Sequence, residues 1–340
     1  MGHKKLFLLI LLATPGAAQV VPHGCSALAA EWGTRDLWIV VDGQSPRRVL
    51  ATERPVAAAS LSSDGHHIAF SVYPPSSDSA VEAVIAEVSG RILGRFKIDQ
   101  GYTKGGNRDI DQIEWRGPRT LVTLGSAGPH GGYFDVWDLS TGYSGAKRVR
   151  RALILGGRCA VSPSTQYVAC SDGNTIMIFD TLSPADEDGV VDEQHFFMTP
   201  RDGEPDETLN TNLAWNGTRT ALYAARSVRG NRLLTTIEKN AAASDGWSVT
   251  DRDLVGIDSP VDSIEFDAHG ALLLGAGGKT YRVDEATGGS RAAAVAHVIS
   301  TAAIRQPGPL PAAPLEVASD HGKLRLKVLD TYCPRGATQR

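Results

Sequence analysis

Catalysis or metal binding in this 340-residue chain would have to come from nine histidines, four cysteines and 38 acidic residues. The histidines include no H-x-x-x-H or H-E-x-x-H pair, the spacing that sets two imidazoles on one helical face around a metal. His66, His67 and His269 fall in polar turn segments, His130 in the glycine-rich GPHGG, and His195 beside Phe196 and Phe197. Carboxylates concentrate between Ser183 and Thr208, at Asp186, Glu187, Asp188, Asp192, Glu193, Asp202, Glu204, Asp206 and Glu207. Hard cations want several carboxylate oxygens, but DEDG lacks the alternating spacing of a calcium loop. The run therefore reads as a solvated connection. There is no G-x-S-x-G elbow, no phosphate-cradling G-x-x-x-x-G-K loop and no C-x-x-C pair. The sequence assigns no catalytic residue, no metal ligand and no cofactor.

Whatever these side chains do, a repeated hairpin must position them. LSSDGHHIAFS, from Leu61 to Ser71, is a strand end, a turn at Asp64-Gly65 and a returning apolar strand. Gly accepts positive φ without a Cβ clash, and Asp tolerates such a turn through local hydrogen bonds. VSPSTQYVACS, from Val161 to Ser171, matches it position for position, and segments around Trp115, Trp215 and Phe266 repeat it with a shorter turn. The apolar anchors Leu61, Trp115, Val161, Trp215 and Phe266 are spaced by 54, 46, 54 and 51 residues. Short strands recurring at roughly 40 to 50 residues are the mark of β-propeller blades. LAAEWGTRDLWIVVDG (Leu28 to Gly43) and LEVASDHGKLRLKVLDT (Leu315 to Thr331) carry incomplete units at the two ends. Seven units predict an all-β propeller of seven blades, each of four antiparallel strands. If the two terminal fragments share one blade, the count is six.

Residues 1–18 read as a signal peptide. Lys4 and Lys5 precede the apolar run Leu6 to Leu12, and Gly16-Ala17-Ala18 offers small residues for cleavage before Gln19. That run is far below the ~20 residues needed to cross a bilayer, so no membrane span is expected. Residues 19–340 then form a single propeller domain closed by its N- and C-terminal segments, periplasmic or secreted. A net charge of −4 provides no basic face for nucleic acid.

Four cysteines in an exported chain point to two disulfides, for which three pairings exist. Cys159 and Cys170 flank the Val161 hairpin symmetrically, so they face each other across its ladder within bridging reach. Cys25 and Cys333 flank the whole repeat array, where a bridge would lock the ring.

LSSDGHHIAFS resembles the repeat of the TolB-like, PD40-type (WD40-like) propellers, whose blades carry a Ser-Pro-Asp-Gly turn followed by Ile-Ala-Phe. DLWIVVDGQSPRRVL, from Asp36 to Leu50, is similar to their outer strands. The resemblance spans residues 28–331 and covers the propeller alone. It implies a periplasmic platform that binds an envelope protein or peptide, although some relatives are peptidases or polysaccharide lyases; with no catalytic constellation in the sequence, the expected role is non-catalytic. The alternative is a propeller-type enzyme, lyase-like or lactonase-like, with a metal at the channel mouth.

The innermost strand of each blade lines the channel, so the residues leading into those strands share one mouth. They are Arg54, Asp109, Asp111, Arg158, Asn210, Asn212, Asp258 and Asp262, polar or charged ahead of apolar strands. They are the expected partner-binding residues.

Overall fold

The computed structural model describes residues 25–31, 35–41, 44–62, 64–73, 81–98, 110–126, 131–155, 158–172, 175–187, 190–197, 212–216, 220–228, 231–266, 270–277, 279–285, 288–292, 315–319 and 322–332. The expected signal peptide lies outside the described residues.

The chain opens with β1 (Ser26–Glu31), β2 (Asp36–Val41) and β3 (Arg47–Ala51). Five four-stranded antiparallel sheets follow, each a run of consecutive strands. Blade two holds β4 (Val56–Leu61), β5 (His67–Val72), β6 (Val81–Glu87) and β7 (Ile92–Ile98). Blade three holds β8 (Ile110–Gly117), β9 (Thr120–Ser126), β10 (Gly131–Asp138) and β11 (Lys147–Leu155). Blade four holds β12 (Arg158–Val161), β13 (Tyr167–Asp172), β14 (Thr175–Asp180) and β15 (Glu193–Phe197). Blade five holds β16 (Asn212–Trp215), β17 (Ala221–Val228), β18 (Asn231–Lys239) and β19 (Trp247–Asp253). Blade six holds β20 (Val261–Phe266), β21 (Leu272–Ala276), β22 (Lys279–Val283) and β23 (Ser290–Ala292).

The last two strands, β24 (Leu315–Ser319) and β25 (Gly322–Tyr332), do not make a seventh blade. They join the first three in one sheet of order β24-β25-β1-β2-β3, with Ser26 opposite Tyr332 and Glu31 opposite Leu326. The expected seven blades are thus corrected to six, because the terminal fragments share a sheet. The sharing ties the two ends of the chain into one sheet, and each sheet keeps only a short edge strand at either side.

The core lies between blades rather than inside one. Leu28, Leu37, Ile68 and Phe70 pack blade one on blade two; Ile85, Ile110 and Trp137 pack two on three. Phe134, Val168 and Phe179 join three and four; Ile176, Trp215 and Leu222 join four and five. Tyr223, Leu234, Ile264 and Leu274 join five and six. Many of these side chains, Ile68 and Leu222 among them, are 0% exposed. Each such burial contributes roughly 1.5–3 kcal/mol. All five repeat anchors are buried; Leu61, Val161, Trp215 and Phe266 end their strands, and Trp115 lies two residues before the end of β8.

Two of the hairpins coincide in detail. Ser62 N–H donates to the His67 carbonyl at 2.9 Å, and Ser162 N–H to the Tyr167 carbonyl at 2.8 Å. Gly65 is left-handed at φ 72°, and its counterpart Thr165 takes φ 60° without being glycine. Cys159 and Cys170 are direct ladder partners joined by a disulfide with Cα atoms 4.0 Å apart. The acidic connection is more structured than expected. The Asp186 carboxylate accepts the Val190 N–H at 2.8 Å, and Glu193–Phe197 is the outer strand of blade four.

Candidate functional site: the channel mouth and an inter-blade cleft

The first strand of each middle blade faces the axis: β4 lies against β8, β12 against β16, β16 against β20, and β25 against β4. Five blades repeat one connectivity, so these strands run alike and begin at the same mouth. Asp111 is the second residue of β8, Arg158 the first of β12, Asn212 the first of β16, and Asp262 the second of β20. The side chains of Asp111, Arg158 and Asp262 lie outside the described residues, as do Asp109 and Asn210 entirely. Arg54 is half-buried in the turn before β4, its carbonyl accepting the Thr52 hydroxyl at 2.5 Å. Asp258 is exposed ahead of β20. Asn212 is buried, and its Nδ2 donates to the Val261 carbonyl at 2.8 Å, tying blade five to blade six.

The ladder adds a feature that sequence spacing did not reveal. In β4, Val56 pairs Val72 and Ala58 pairs Ser71, leaving Ala57 extra. In β8, Ile110 pairs Gly125 and Gln112 pairs Leu124, leaving Asp111 extra. In β20, Val261 pairs Ala276 and Ser263 pairs Gly275, leaving Asp262 extra. Each extra residue stands four before its blade's anchor, Leu61, Trp115 or Phe266. A bulge of this kind leaves its residue out of the ladder and re-aims it, and bulges concentrate at barrel rims and beside active sites.

Charge is also buried within blades, in places the sequence reading did not single out. In blade three Asp135 is 1% exposed and takes both Arg151 Nε at 2.7 Å and Nη2 at 2.8 Å. In blade five Arg226 Nη2 reaches Asp251 at 2.7 Å, and Thr235 donates to the same carboxylate at 2.5 Å. An aspartate in the middle of YFDVW is the available sequence signal for the first pair. Such pairs need both partners, since a buried charge left alone is costly.

A cleft of about 280 Å³ opens between blades five and six, away from the channel. Its floor follows from register. Tyr223, Thr236 and Thr250 form one row across β17, β18 and β19; Glu238 pairs Ser248 one row along, and Leu234 pairs Arg252 on the other side. From blade six comes Glu285, whose carboxylate accepts the Tyr223 hydroxyl. The polar period-2 run Ser248, Thr250, Arg252 reads in sequence as an ordinary exposed edge strand, which is why the cleft is not legible there. Among the described residues no group of three or more His, Cys, Asp or Glu is arranged to hold a metal.

Cys25 is buried and disulfide-bonded. Its expected partner Cys333 lies outside the described residues, but the β1–β25 ladder ends on Ser26 opposite Tyr332, one residue short of both cysteines.

No protein-family model matches this chain, and no curated protein matches it. Among solved structures it is similar to a protein assigned as a 6-phosphogluconolactonase from Bacteroides uniformis, at 13% identity over 79% of this chain and 95% of that one, TM-score 0.40. One from Bacteroides fragilis, assigned likewise, gives 12% identity over 79% and 93%, TM-score 0.40. The WD40 β-propeller domain of Doa1 gives 11% identity over 96% and 97%, TM-score 0.48. All three TM-scores fall below 0.5, so the propeller rests on its six sheets and their closure rather than on these likenesses.

Proposed function

We propose that this chain is an exported, non-catalytic binding module of the cell envelope that holds a partner protein or peptide at the channel mouth. The observation that carries the reading is the repeated bulge, which singles out Asp111 and Asp262 at equivalent positions of blades three and six. In a ring of six, those blades stand opposite each other across the axis. Aspartates at those two strand positions suit a basic side chain of a partner, and Arg158 is the first residue of β12 in blade four. The TolB-like repeat at 61–71 and the leader-like residues 1–18 support export, as do disulfides, which persist in oxidising compartments.

The test is a pull-down from native envelope with the parent and with Asp111→Ala/Asp262→Ala. The parent should retain one stable partner and the double variant should lose it at an unchanged melting temperature. A double variant that binds as the parent does, or that unfolds, makes these residues scaffold. A stoichiometric divalent ion in the purified protein would turn the reading toward the metal-dependent enzyme.

A further inference from the structure

We propose that the cleft between blades five and six is a second binding site, independent of the channel mouth, for a neutral polyhydroxylated molecule of monosaccharide size. Its volume, about 280 Å³, equals roughly nine waters at ~30 Å³ each, just under the range of pockets that take drug-sized ligands. The size suits one small ring.

The chemistry of the wall decides the class. Thr236 is 8% exposed, and its Oγ1 is buried with no hydrogen-bond partner. Buried hydroxyls are nearly always satisfied, so one left open in the wall of a cleft points to something that enters. Around it stand the hydroxyls of Ser248 and Thr250, the carboxylates Glu238 and Glu285, and the guanidinium of Arg252. Arg252 makes no ion pair or side-chain hydrogen bond among the described residues. An anion would meet two carboxylates and a cation would meet Arg252, so either ligand would face a like charge in a confined space. A sugar hydroxyl both donates and accepts, and can therefore serve carboxylate, guanidinium and hydroxyl together. Sites built to bond hydroxyls reject analogues that lack them, because their own polar groups are then left unpaired.

Ligand-observed NMR on the mature chain would test this with D-glucose, D-galactose and N-acetyl-D-glucosamine, against glycine, L-serine and inorganic phosphate. At least one sugar should bind, and the charged and zwitterionic probes should not. Glu238→Gln and Arg252→Gln, both on partly exposed positions, should each weaken that sugar at least tenfold. Thr236→Val should weaken it too while leaving the melting temperature equal or higher, since it removes an unsatisfied hydroxyl. Asp111→Ala/Asp262→Ala should leave sugar binding untouched, which separates this site from the mouth. Absence of binding by every sugar, binding by glycine, L-serine or phosphate instead, or sugar binding indifferent to all three cleft variants would overturn the proposal.

Discussion

The turn at Ser62–His67 and the turn at Ser162–Tyr167 make the same backbone hydrogen bonds from different residues. In the first, the Asp64 carboxylate accepts the His66 N–H at 2.9 Å; in the second, the Ser164 hydroxyl accepts the Gln166 N–H at 3.3 Å. Both serines at the turn start return a hydroxyl to the N–H five residues on, at 2.9 Å. The left-handed position is Gly65 in one and Thr165 in the other, and a β-branched residue there is strained. Both turns carry their own hydrogen bonds, and the second adds a disulfide across its ladder, between Cys159 and Cys170. Covalent closure is therefore added to turn chemistry in the hairpin whose left-handed position is not glycine.

Covalent ties should show the largest effects, in order of the loop they close. Cys25→Ser should cost about 5 kcal/mol in urea unfolding, since a bridge to Cys333 would close nearly the whole chain. Cys159→Ala/Cys170→Ala should cost about 3 kcal/mol, because its loop is short. Mass mapping without reduction should link Cys25 to Cys333. A smaller loss for Cys25→Ser than for the hairpin pair would reverse the ranking and put ring closure in the ladder alone.

The turns come next, with opposite signs. Gly65→Ala should cost about 1–2 kcal/mol, the left-handed penalty. Thr165→Gly should gain up to about 1 kcal/mol, that relief less the entropy glycine loses on folding. If Thr165→Gly destabilised the protein, the threonine would have to be packed rather than strained.

The smallest effect is acid sensitivity confined to the first hairpin. Burial pushes the Asp64 carboxyl up, but the Ser62 hydroxyl, the His66 N–H and the two nearby histidines together hold it below its ordinary value. A carboxyl lower in the folded state contributes stability above the unfolded value, near 4, and loses it as pH falls through the folded one. Asp64→Asn should therefore flatten the stability profile below about pH 4, where Asp is protonating. An equal flattening from Ser164→Ala, a group that does not titrate, would show that the acid limb belongs elsewhere.

The acidic end of the β6–β7 turn offers a check on that assignment. Glu87 is held at about 2 by hydrogen bonds from the exposed Arg91 and from Ser89. Its contribution, present above about pH 4.5 and fading toward 2, is screened by solvent and sets the background against which Asp64 is read.

What the sequence determined here is local. The five anchors, the returning strands and the pairing of Cys159 with Cys170 were legible because strand alternation and hairpin register are fixed by residues within about a dozen positions of each other. Asp111 and Asp262 stood out as charged residues ahead of apolar strands, yet their bulges leave no periodic trace, since an extra residue only shifts the pattern by one. Blade number was decided by tertiary structure: β25 reaches across some 300 positions to β1, and no local pattern encodes which fragments will share a sheet. The cleft belongs to the same category. Tyr223 and Glu285 are separated by 62 residues and face each other only because blades five and six pack side by side. Hairpins are chosen by the chain's neighbours in sequence; closure and clefts are chosen by its neighbours in space.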